Sequence, residues 1–339
     1  MLNGSKVESK GLRISSPKNI NVAVITESGC CGSEGYSALP LSHIGKEYLV
    51  TGMYNSSLTV IATESDTCVN ITKRFSGKVV FNGSSYHYGD VISITLNRLQ
   101  TLQLLVKGGY MIGSTISSDK PVGVVSGQYF GSLSLSSQSK LDFNQMMEYI
   151  PPMKNLGTIF IVSPIVNATY MRLIVFRAEK DTRFEIETEG FKKERIVRQY
   201  GSSVLTVSGS KPYVIRADNP VTLVQYPHGI KTFMMYIPNV DNYSNRMTFY
   251  TPNGYSSFVA IILKANDVDG LRIDGKPLHS IMIYRTNTIV DNFSFYIVIT
   301  MRVESGSHVI SHVDKHAKFG LVTYGFNAFS SYGFPLFMN

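Results

Sequence analysis

The sequence has no tryptophan, only three cysteines and no long apolar run. Three cysteines in 339 residues exclude a small disulfide scaffold, and none has the Cys-x-x-Cys or Cys/His spacing typical of zinc sites. No stretch approaches the ~18 apolar residues of a membrane span. The first residues also lack the apolar core of a signal peptide. If the protein is secreted, we therefore expect its signal to lie outside this sequence.

Catalytic motifs are missing as well. The sequence contains no G-x-S-x-G, H-E-x-x-H, P-loop or dinucleotide-binding glycine pattern, and no cysteine stands in a known nucleophile motif. Acidic residues such as Asp142 and Glu148 are too common in any sequence to indicate a site. The sequence therefore predicts a protein that is not an enzyme and needs no cofactor.

The residues that are plentiful favour strands. Tyrosine (20) and phenylalanine (18) accompany many Val, Ile, Thr and Ser residues, and no window of ten or more residues has a clean 3.6-residue period. Lys+Arg exceeds Asp+Glu by 32 − 24 = 8, which would suit an anionic partner. The basic residues are scattered, however. The one cluster is Lys192, Lys193, Arg195 and Arg198, which acidic residues flank and interrupt, so we interpret it as a solvated face and predict no nucleic-acid partner.

One pattern recurs at intervals of about a hundred residues. It occupies residues 110–128, 213–229 and 308–326, and a damaged copy occupies residues 12–24. Each copy reads as an alternating strand, a short polar turn and a second strand, which predicts a hairpin-like unit. The damaged copy suggests that the chain opens partway through a repeat.

Other features fall into register with these copies. Each is preceded by an apolar segment with proline, then a strand, a polar turn and another strand. Asn82-Gly83 and Asp274-Gly275 are typical two-residue hairpin turns. We therefore predict an all-β protein of three tandem antiparallel β-sandwich units at residues 1–128, 129–229 and 230–339, closely packed. The alternative is a β-propeller, since a hundred residues also suffice for two four-stranded blades.

Several side chains are candidates for modification. The sequence has seven N-x-[ST] sequons, more than the composition leads us to expect, and they favour a secreted chain. They lie at Asn3, Asn55, Asn70, Asn82, Asn167, Asn242 and Asn292. In an oxidising compartment, Cys68 would pair with Cys30 or Cys31 and leave one odd thiol. The alternative is a cytosolic protein with three reduced cysteines.

Two further patterns resemble metal sites. His308, His312 and His316 are spaced by four residues, but the spacing falls across a strand, a turn and a second strand, so we predict no metal site there. Residues 266–270, Asn-Asp-Val-Asp-Gly, lack the further carboxylates of a calcium loop and are interpreted as a strand-to-strand turn.

Short motifs along nearly the whole chain resemble the N-terminal domain of the IgGFc-binding protein family. They are A-L-P with G-x-E-Y (38–48), T-V-I-A-T-E-S-D-T-x-V-x-I (59–71), S-D-K-P-V-x-V-x-S-G (118–127), Pro-Pro with L-G (151–157), G-L-R-I-D-G (270–275) and the closing F-G-L-x-x-Y-G-F with S-Y-G-F-P (319–335). The resemblance implies a secreted mucus or cell-surface module without enzymatic activity, in a longer chain with neighbouring domains. Residues 131–142 depart from the family because they lack a cysteine pair. Fc binding is implied by the family name alone, and no contact residue is carried over.

The functional prediction is a non-enzymatic extracellular binding or adhesion module of a mucus- or matrix-type glycoprotein, with an extracellular protein or glycan as partner. The Ser-rich loop 129–144 is the candidate partner surface, although its composition equally suits a loop without function. A carbohydrate-active or metal-dependent enzyme predicts a cleft with convergent carboxylates or clustered histidines. A purely structural spacer predicts no aromatic or charged cluster on any loop surface.

Overall fold

The computed structural model describes residues 4–28, 32–52, 54–75, 78–106, 108–131, 144–177, 179–291 and 294–336. The first strands are β1 (Lys6–Glu8), β2 (Val22–Ser28) and β3 (Gly32–Ala38). A first set follows: β4 (Gly45–Leu49), β5 (Ser56–Ala62), β6 (Thr67–Thr72), β7 (Val79–Phe81), β8 (Ser84–Tyr86), β9 (Val91–Leu96), β10 (Thr101–Leu105) and β11 (Thr115–Gly131).

The rest of the chain repeats this arrangement twice. The second set is β12 (Asn144–Tyr149), β13 (Gly157–Val162), β14 (Tyr170–Phe176), β15 (Thr182–Thr188), β16 (Phe191–Val197), β17 (Ser202–Ser208) and β18 (Tyr213–His228). The third set is β19 (Met235–Tyr236), β20 (Arg246–Thr251), β21 (Ser256–Lys264), β22 (Leu271–Ile273), β23 (Lys276–Pro277), β24 (Arg285–Asp291), β25 (Ser294–Val303), β26 (Gly306–His312) and β27 (Phe319–Phe326), and the last strand is β28 (Ser331–Leu336).

The fold is all-β, as the sequence predicts. Every strand pair is antiparallel, and the helical turns within the described ranges are short 3-10 turns: Met153–Asn155, Val240–Asn242, Ala265–Asp267 and Leu278–Ser280. Both predicted hairpin turns are confirmed, because Asn82 and Gly83 have φ of 48° and 77° and Asp274 and Gly275 have φ of 50° and 79°. The propeller alternative is wrong for the part of the chain described here, whose sheets are open. The largest of them has eight strands, of which β1 and β12 come from outside the first set.

The repeated pattern is not a hairpin, and that prediction is wrong. In the first copy, one continuous strand, β11, runs through the polar residues. Its first half pairs with β4 and β6, and its second half pairs with β5 and β12. The pairing register shifts between Ser117 and Val122, around Pro121, which has no N–H to donate. The polar residues therefore mark the point where a strand passes from one layer of strands to another.

The other two copies do the same. The first half of β18 pairs with β13 and β15, and its second half pairs with β14 and β19. In the third copy the two halves are separate strands: β26 pairs with β20 and β22, while β27 pairs with β21 and β28. The three sets thus share one pairing scheme.

Neighbouring sets contribute side chains to each other's hydrophobic cores. In β14, Leu173 and Val175 lie in the core of the second set, whereas Ile174 and Phe176 point the other way into the core of the first. Strand β21 joins the second and third cores in the same manner. Because such strands are buried on both faces, their sequences contain continuous apolar runs, Leu173–Phe176 in β14 and Phe258–Leu263 in β21, and do not alternate. The close packing predicted from the sequence is confirmed.

Four equivalent hairpins meet where these cores join: β2–β3, β11–β12, β18–β19 and β27–β28. The Ser33 hydroxyl donates to the Ser331 carbonyl at 2.8 Å. Gly35 lies so close to Phe334 that an added Cβ would come within 2.9 Å of its ring. We call the place where β3, β12, β19 and β28 meet the central junction.

Candidate binding surface

An exposed pair of tyrosines lies at one end of the first set. The rings of Tyr54 and Tyr110 meet edge-on, with centroids 5.4 Å apart, and they are 45% and 42% exposed. Tyr54 precedes Asn55 and Ser56, and Tyr110 follows Gly108 and Gly109. Because these neighbours are small, they leave the two rings in solvent. Paired tyrosines combine a large apolar area with a hydroxyl group and little side-chain entropy, which suits protein recognition. We call this pair the tyrosine rim.

Hydrogen bonds hold the backbone of the tyrosine rim in place. The Asn55 N–H donates to the Gly109 carbonyl at 2.9 Å, and the Gly108 N–H donates to Asn55 Oδ1 at 2.9 Å. The buried side chain of Gln128 donates from Nε2 to the Tyr54 carbonyl at 2.7 Å. Gln128 lies near the end of β11, so the rim stands at the base of the 129–144 loop. Most of that predicted partner loop lies outside the described residues.

A second polar cluster lies inside the central junction. Glu34 of β3 and Glu148 of β12 are 1% and 0% exposed. The Glu34 carboxyl accepts hydrogen bonds from the N–H groups of Gly35, Met147 and Met234. The Glu148 carboxyl accepts from those of Tyr149 and Tyr236. The two side chains thus connect β3, β12 and the residues at the start of β19.

Burial controls the charge of both carboxyls. Loss of solvation raises the pKa of Glu34 and of Glu148 well above the usual value, and the nearby Glu148 charge raises the pKa of Glu34 further. The backbone N–H groups oppose these shifts without cancelling them. One oxygen of each carboxyl has no hydrogen-bond partner among the described residues.

These carboxyls converge, as the enzyme alternative predicts, but not in a cleft. Both are buried under the four hairpins, so a dissolved substrate does not reach them in this conformation. The adjoining cavity, between Pro151, Tyr236 and Asn239, has a volume of about 20 Å³. That is room for about one water molecule.

Comparison with known proteins gives the family. A family model described as IgGFc binding protein matches residues 34–325 of the 339. The chain belongs to the IgGFc-binding protein family. The match confirms the resemblance seen in the sequence. It includes the tyrosine rim and most of the central junction, but not β28.

A human relative named "IgGFc-binding protein" is 23% identical over 300 residues, which cover 84% of this chain. The chain corresponds to only 5% of that relative's length. Likeness to solved structures is slight. A mutant major pilin of Streptococcus pyogenes matches with a TM-score of 0.19 and 8% identity over 86% of this chain and 100% of the pilin chain. A bacterial ice-binding adhesin has a TM-score of 0.14 and 12% identity over 83% of this chain and 88% of the adhesin chain.

The sequons of this IgGFc-binding family member differ in their surroundings. Asn70, Asn82 and Asn167 are exposed, and the last two occupy turns with φ of 48° and 62°. Asn55 is half-buried, and its Oδ1 accepts a hydrogen bond from the Gly108 N–H. A glycan attached to Nδ2 would leave this hydrogen bond intact. Asn242 instead directs its Nδ2 toward the Asn155 carbonyl at 3.4 Å. The sequons at Asn3 and Asn292 lie outside the described residues.

The cysteine prediction stays open. Cys68 is an exposed free thiol on β6, with its Sγ 3.8 Å from the Thr95 hydroxyl. Cys30 and Cys31, the two predicted disulfide partners, lie outside the described residues.

The histidines do not form a shared site. His308 Nδ1 lies 2.9 Å from Asp274 Oδ2, and its ring stacks on Phe249. His312 Nε2 bonds the carbonyl of Asp267, in the segment compared above with a calcium loop, while His316 bonds Asp314 through its backbone. Residues 265–267 form a 3-10 turn leading into β22. In the parts of the chain described, no group of three His, Cys, Asp or Glu side chains could hold a metal ion.

The basic cluster lies on β16 and, with Arg198, just after it, beside acidic partners. Lys192 Nζ lies 2.8 Å from Glu185 Oε2, and Arg198 pairs with Asp181. These pairs stand on an exposed face, which agrees with a solvated surface. No helix within the described ranges has the length and apolar character needed to cross a membrane.

Sequence reasoning missed both the tyrosine rim and the carboxyl pair. Tyr54 and Tyr110 carry a weak signal, since each stands among Gly, Asn and Ser residues in a turn. Glu148 looks like any surface acid in the sequence. Its environment is made by strands that are distant in the chain, so no local pattern reveals it.

Proposed function

We propose that this chain is a non-enzymatic, extracellular protein-binding module that meets its partner at the tyrosine rim and the adjoining 129–144 loop. Membership of the IgGFc-binding family over residues 34–325 is the observation that supports a binding role. The rim supports the location, because its two rings are exposed while their backbone is fixed. A purely structural spacer gives no reason for such a pair.

The Fc fragment of immunoglobulin G is the first probe, because the human relative is named for binding it. The experiment measures binding of the whole chain to immobilised Fc, with Fab as a reference surface. We expect saturable binding to Fc. The double variant Tyr54→Ala with Tyr110→Ala should weaken it about tenfold or more, the loss typical of a pair of hot-spot residues.

Tyr88→Ala provides the matched control, since Tyr88 is 69% exposed in the same set of strands and lies outside the rim. Its affinity should equal that of the unmodified chain. If the unmodified chain does not bind Fc, Fc is excluded as the partner. Full binding by the double variant would place the contact elsewhere.

The same proposal includes secretion in a mucus- or matrix-type glycoprotein, within a longer polypeptide. It also treats residues 1–128, 129–229 and 230–339 as three copies of one unit. The exposed sequons at Asn70, Asn82 and Asn167 support an extracellular location. Peptide mass spectrometry of protein from its native source, without reduction, tests this through glycan occupancy and through any link from Cys68 to Cys30 or Cys31. Unmodified asparagines together with free thiols would contradict secretion.

A further inference from the structure

The hairpin β2–β3 has a free edge that its three counterparts lack. On the side away from its hairpin partner, β11 pairs with β5, β18 pairs with β14 and β27 pairs with β21. Strand β2 pairs with β3 alone and forms a two-stranded sheet. In the described part of the chain, no strand pairs with β2 in the position that corresponds to β5, β14 and β21. This region touches the third set through its side chains: the Asn21 amide donates to the Thr248 carbonyl at 2.5 Å, and Ala23 packs against the third core.

Burial shows the same difference. The second halves of β11, β18 and β27 are buried along residues 122–128, 221–228 and 319–325, whereas residues 21–26 are only half-buried. The preceding segment is more exposed still. Ile14 stands in Arg-Ile-Ser-Ser as Ile116 stands in Thr-Ile-Ser-Ser, yet Ile14 is 61% exposed and Ile116 1%. Leu12 is 90% exposed.

In the second and third sets, one strand packs its outer face against the set before it, and β5 of the first set has the corresponding face. The second set buries Ile174 and Phe176 of β14 in the core of the first, and the third set uses β21 in the same way against the second. In β5, Thr59 and Ile61 occupy the corresponding face and are half-buried, with Ile61 against β3 and β12 residues. The outer face of β5 is therefore less completely buried than the corresponding faces of β14 and β21.

The composition of β2 differs from that of a protected edge. Natural edge strands commonly carry charges that discourage pairing, as β16 does with Lys192, Lys193, Glu194 and Arg195. Residues 20–25 read Ile-Asn-Val-Ala-Val-Ile and carry no charge. An uncharged apolar edge of this kind favours the addition of another strand.

We propose that the free edge of β2 is a docking site for a strand from a further unit of this same repeat. The strand would add antiparallel to residues 20–26, with the apolar pattern shared by β5, β14 and β21. Leu12 and Ile14 would be covered by the rest of that unit, as Ile116 is covered in the first set. The site is separate from the tyrosine rim and independent of the proposed function.

The equivalent hairpins indicate which β2 groups are available. The Ile150 N–H donates to the Val124 carbonyl, and the Ile237 N–H donates to the Leu223 carbonyl, so these positions face the hairpin partner. Val22 corresponds to Val124 when the two Ile-Ser-Ser segments are aligned. Because successive residues of a strand direct their N–H groups to opposite sides, Ala23 and Ile25 direct theirs to the free edge.

The test uses the whole chain and a synthetic peptide with the Tyr170–Phe176 sequence of β14 between lysine pairs. Fluorescence anisotropy measures binding, and residue-resolved hydrogen exchange locates it. We expect saturable binding and slower exchange at Ala23 and Ile25, by about a hundredfold at a peptide concentration about 100 times Kd. A peptide with proline at its centre should not bind.

Ala23→Pro should abolish binding because it removes one outward N–H, while Ala23→Ser keeps that N–H and should bind normally. Circular dichroism checks that both variants fold. If Ala23→Pro does not fold, hydrogen exchange in the unmodified chain with peptide still tests the proposal. Absence of saturable binding, or protection confined to other strands, would overturn the proposal. Concentration-dependent protection of Ala23 and Ile25 without peptide would overturn it too, in favour of a second copy of the chain.

Discussion

The carboxyl of Glu148 lies close enough to that of Glu34 for its charge to raise the Glu34 pKa, although the two belong to different strands, β12 and β3. No described cation is paired with either carboxyl. Burial raises the pKa of both, and it also raises the pKa of Tyr36, Tyr226 and Tyr236 beside them. Burial thus favours the protonated form of both carboxyls, and backbone N–H groups hold them in the junction.

This relationship predicts that the protein loses stability as the pH rises. Both carboxyls have a pKa in the folded chain above that of about 4.5 in the unfolded chain, so folding favours the protonated forms. Their contribution is complete below about pH 4.5 and is lost as the pH rises through the folded pKa values. The loss is up to about 1.4 kcal/mol per pH unit for each group. Urea unfolding between pH 5 and about 9 measures the slope.

Neutral substitutions should remove this dependence. Glu34→Gln and Glu148→Gln should each flatten the slope and raise stability at alkaline pH relative to the unmodified chain. Glu47→Gln is the control, because Glu47 is exposed on β4. A Glu148→Gln protein with the same pH slope as the unmodified chain would show that this carboxyl ionises freely in the fold.

The close approach of β11 and β12 predicts a clash at Gly123. A Cβ at this position would overlap the Tyr149 hydroxyl oxygen. Gly123→Ala should therefore lower the free energy of unfolding by about 1–3 kcal/mol, the usual cost of overpacking. Adding Tyr149→Phe should recover part of the loss, because the next contact, with Cζ, remains tight at 3.1 Å.

Gly127→Ala is the matched control for this rescue. Its added Cβ would overlap the backbone carbonyl of Met146, which Tyr149→Phe does not move. The double-mutant cycle should give a coupling energy for Gly123 with Tyr149 and none for Gly127 with Tyr149. Equal coupling energies at both positions would mean that Tyr149→Phe changes the packing of β12 as a whole and does not relieve a specific clash at Gly123.

The sequence predicts correctly those features that depend on neighbouring residues, and it fails for features that depend on contacts between distant strands. Alternation of period two and turn residues such as Asn82-Gly83 depend on near neighbours, and the strands and turns they predict are present. The Asp-Lys-Pro segment of β11 predicts a hairpin turn that the structure lacks, because Pro121 looks the same in a turn and at a change of pairing partner. Glu34 and Glu148 acquire their properties from strands more than a hundred residues apart, which no local pattern contains.

Glycan occupancy should follow the direction of each asparagine amide. Asn82 and Asn167 are exposed in turns, so we expect both to be modified when the protein passes through a secretory pathway. Asn242 should stay largely unmodified, because it is half-buried and its Nδ2 donates to Asn155. Glycopeptide mass spectrometry after deglycosylation in heavy-oxygen water measures each site. High occupancy at Asn242 would show that this turn opens before modification.

An ion cluster around Arg216 joins the second and third sets beside their apolar core. Its Nε lies 2.5 Å from Asp291 Oδ1, and its Nη1 lies 2.7 Å from Glu185 Oε1 and 2.8 Å from Glu187 Oε2. The Arg216 and Asp291 side chains are only 15% and 10% exposed. Arg216→Met would leave the largely buried Asp291 without this cation, so we expect a loss of about 3 kcal/mol in the free energy of unfolding.

Two further variants separate charge from packing in this cluster. Asp291→Asn combined with Arg216→Met should be more stable than Arg216→Met alone, because it removes the buried charge that the first substitution leaves unpaired. Arg183→Met is the control, since Arg183 and Glu194 lie 3.9 Å apart and are 65% and 58% exposed. An exposed pair of this kind contributes about 1 kcal/mol or less. If urea unfolding gave equal losses for Arg216→Met and Arg183→Met, the contact between the second and third sets would rest on its apolar core and not on this ion cluster.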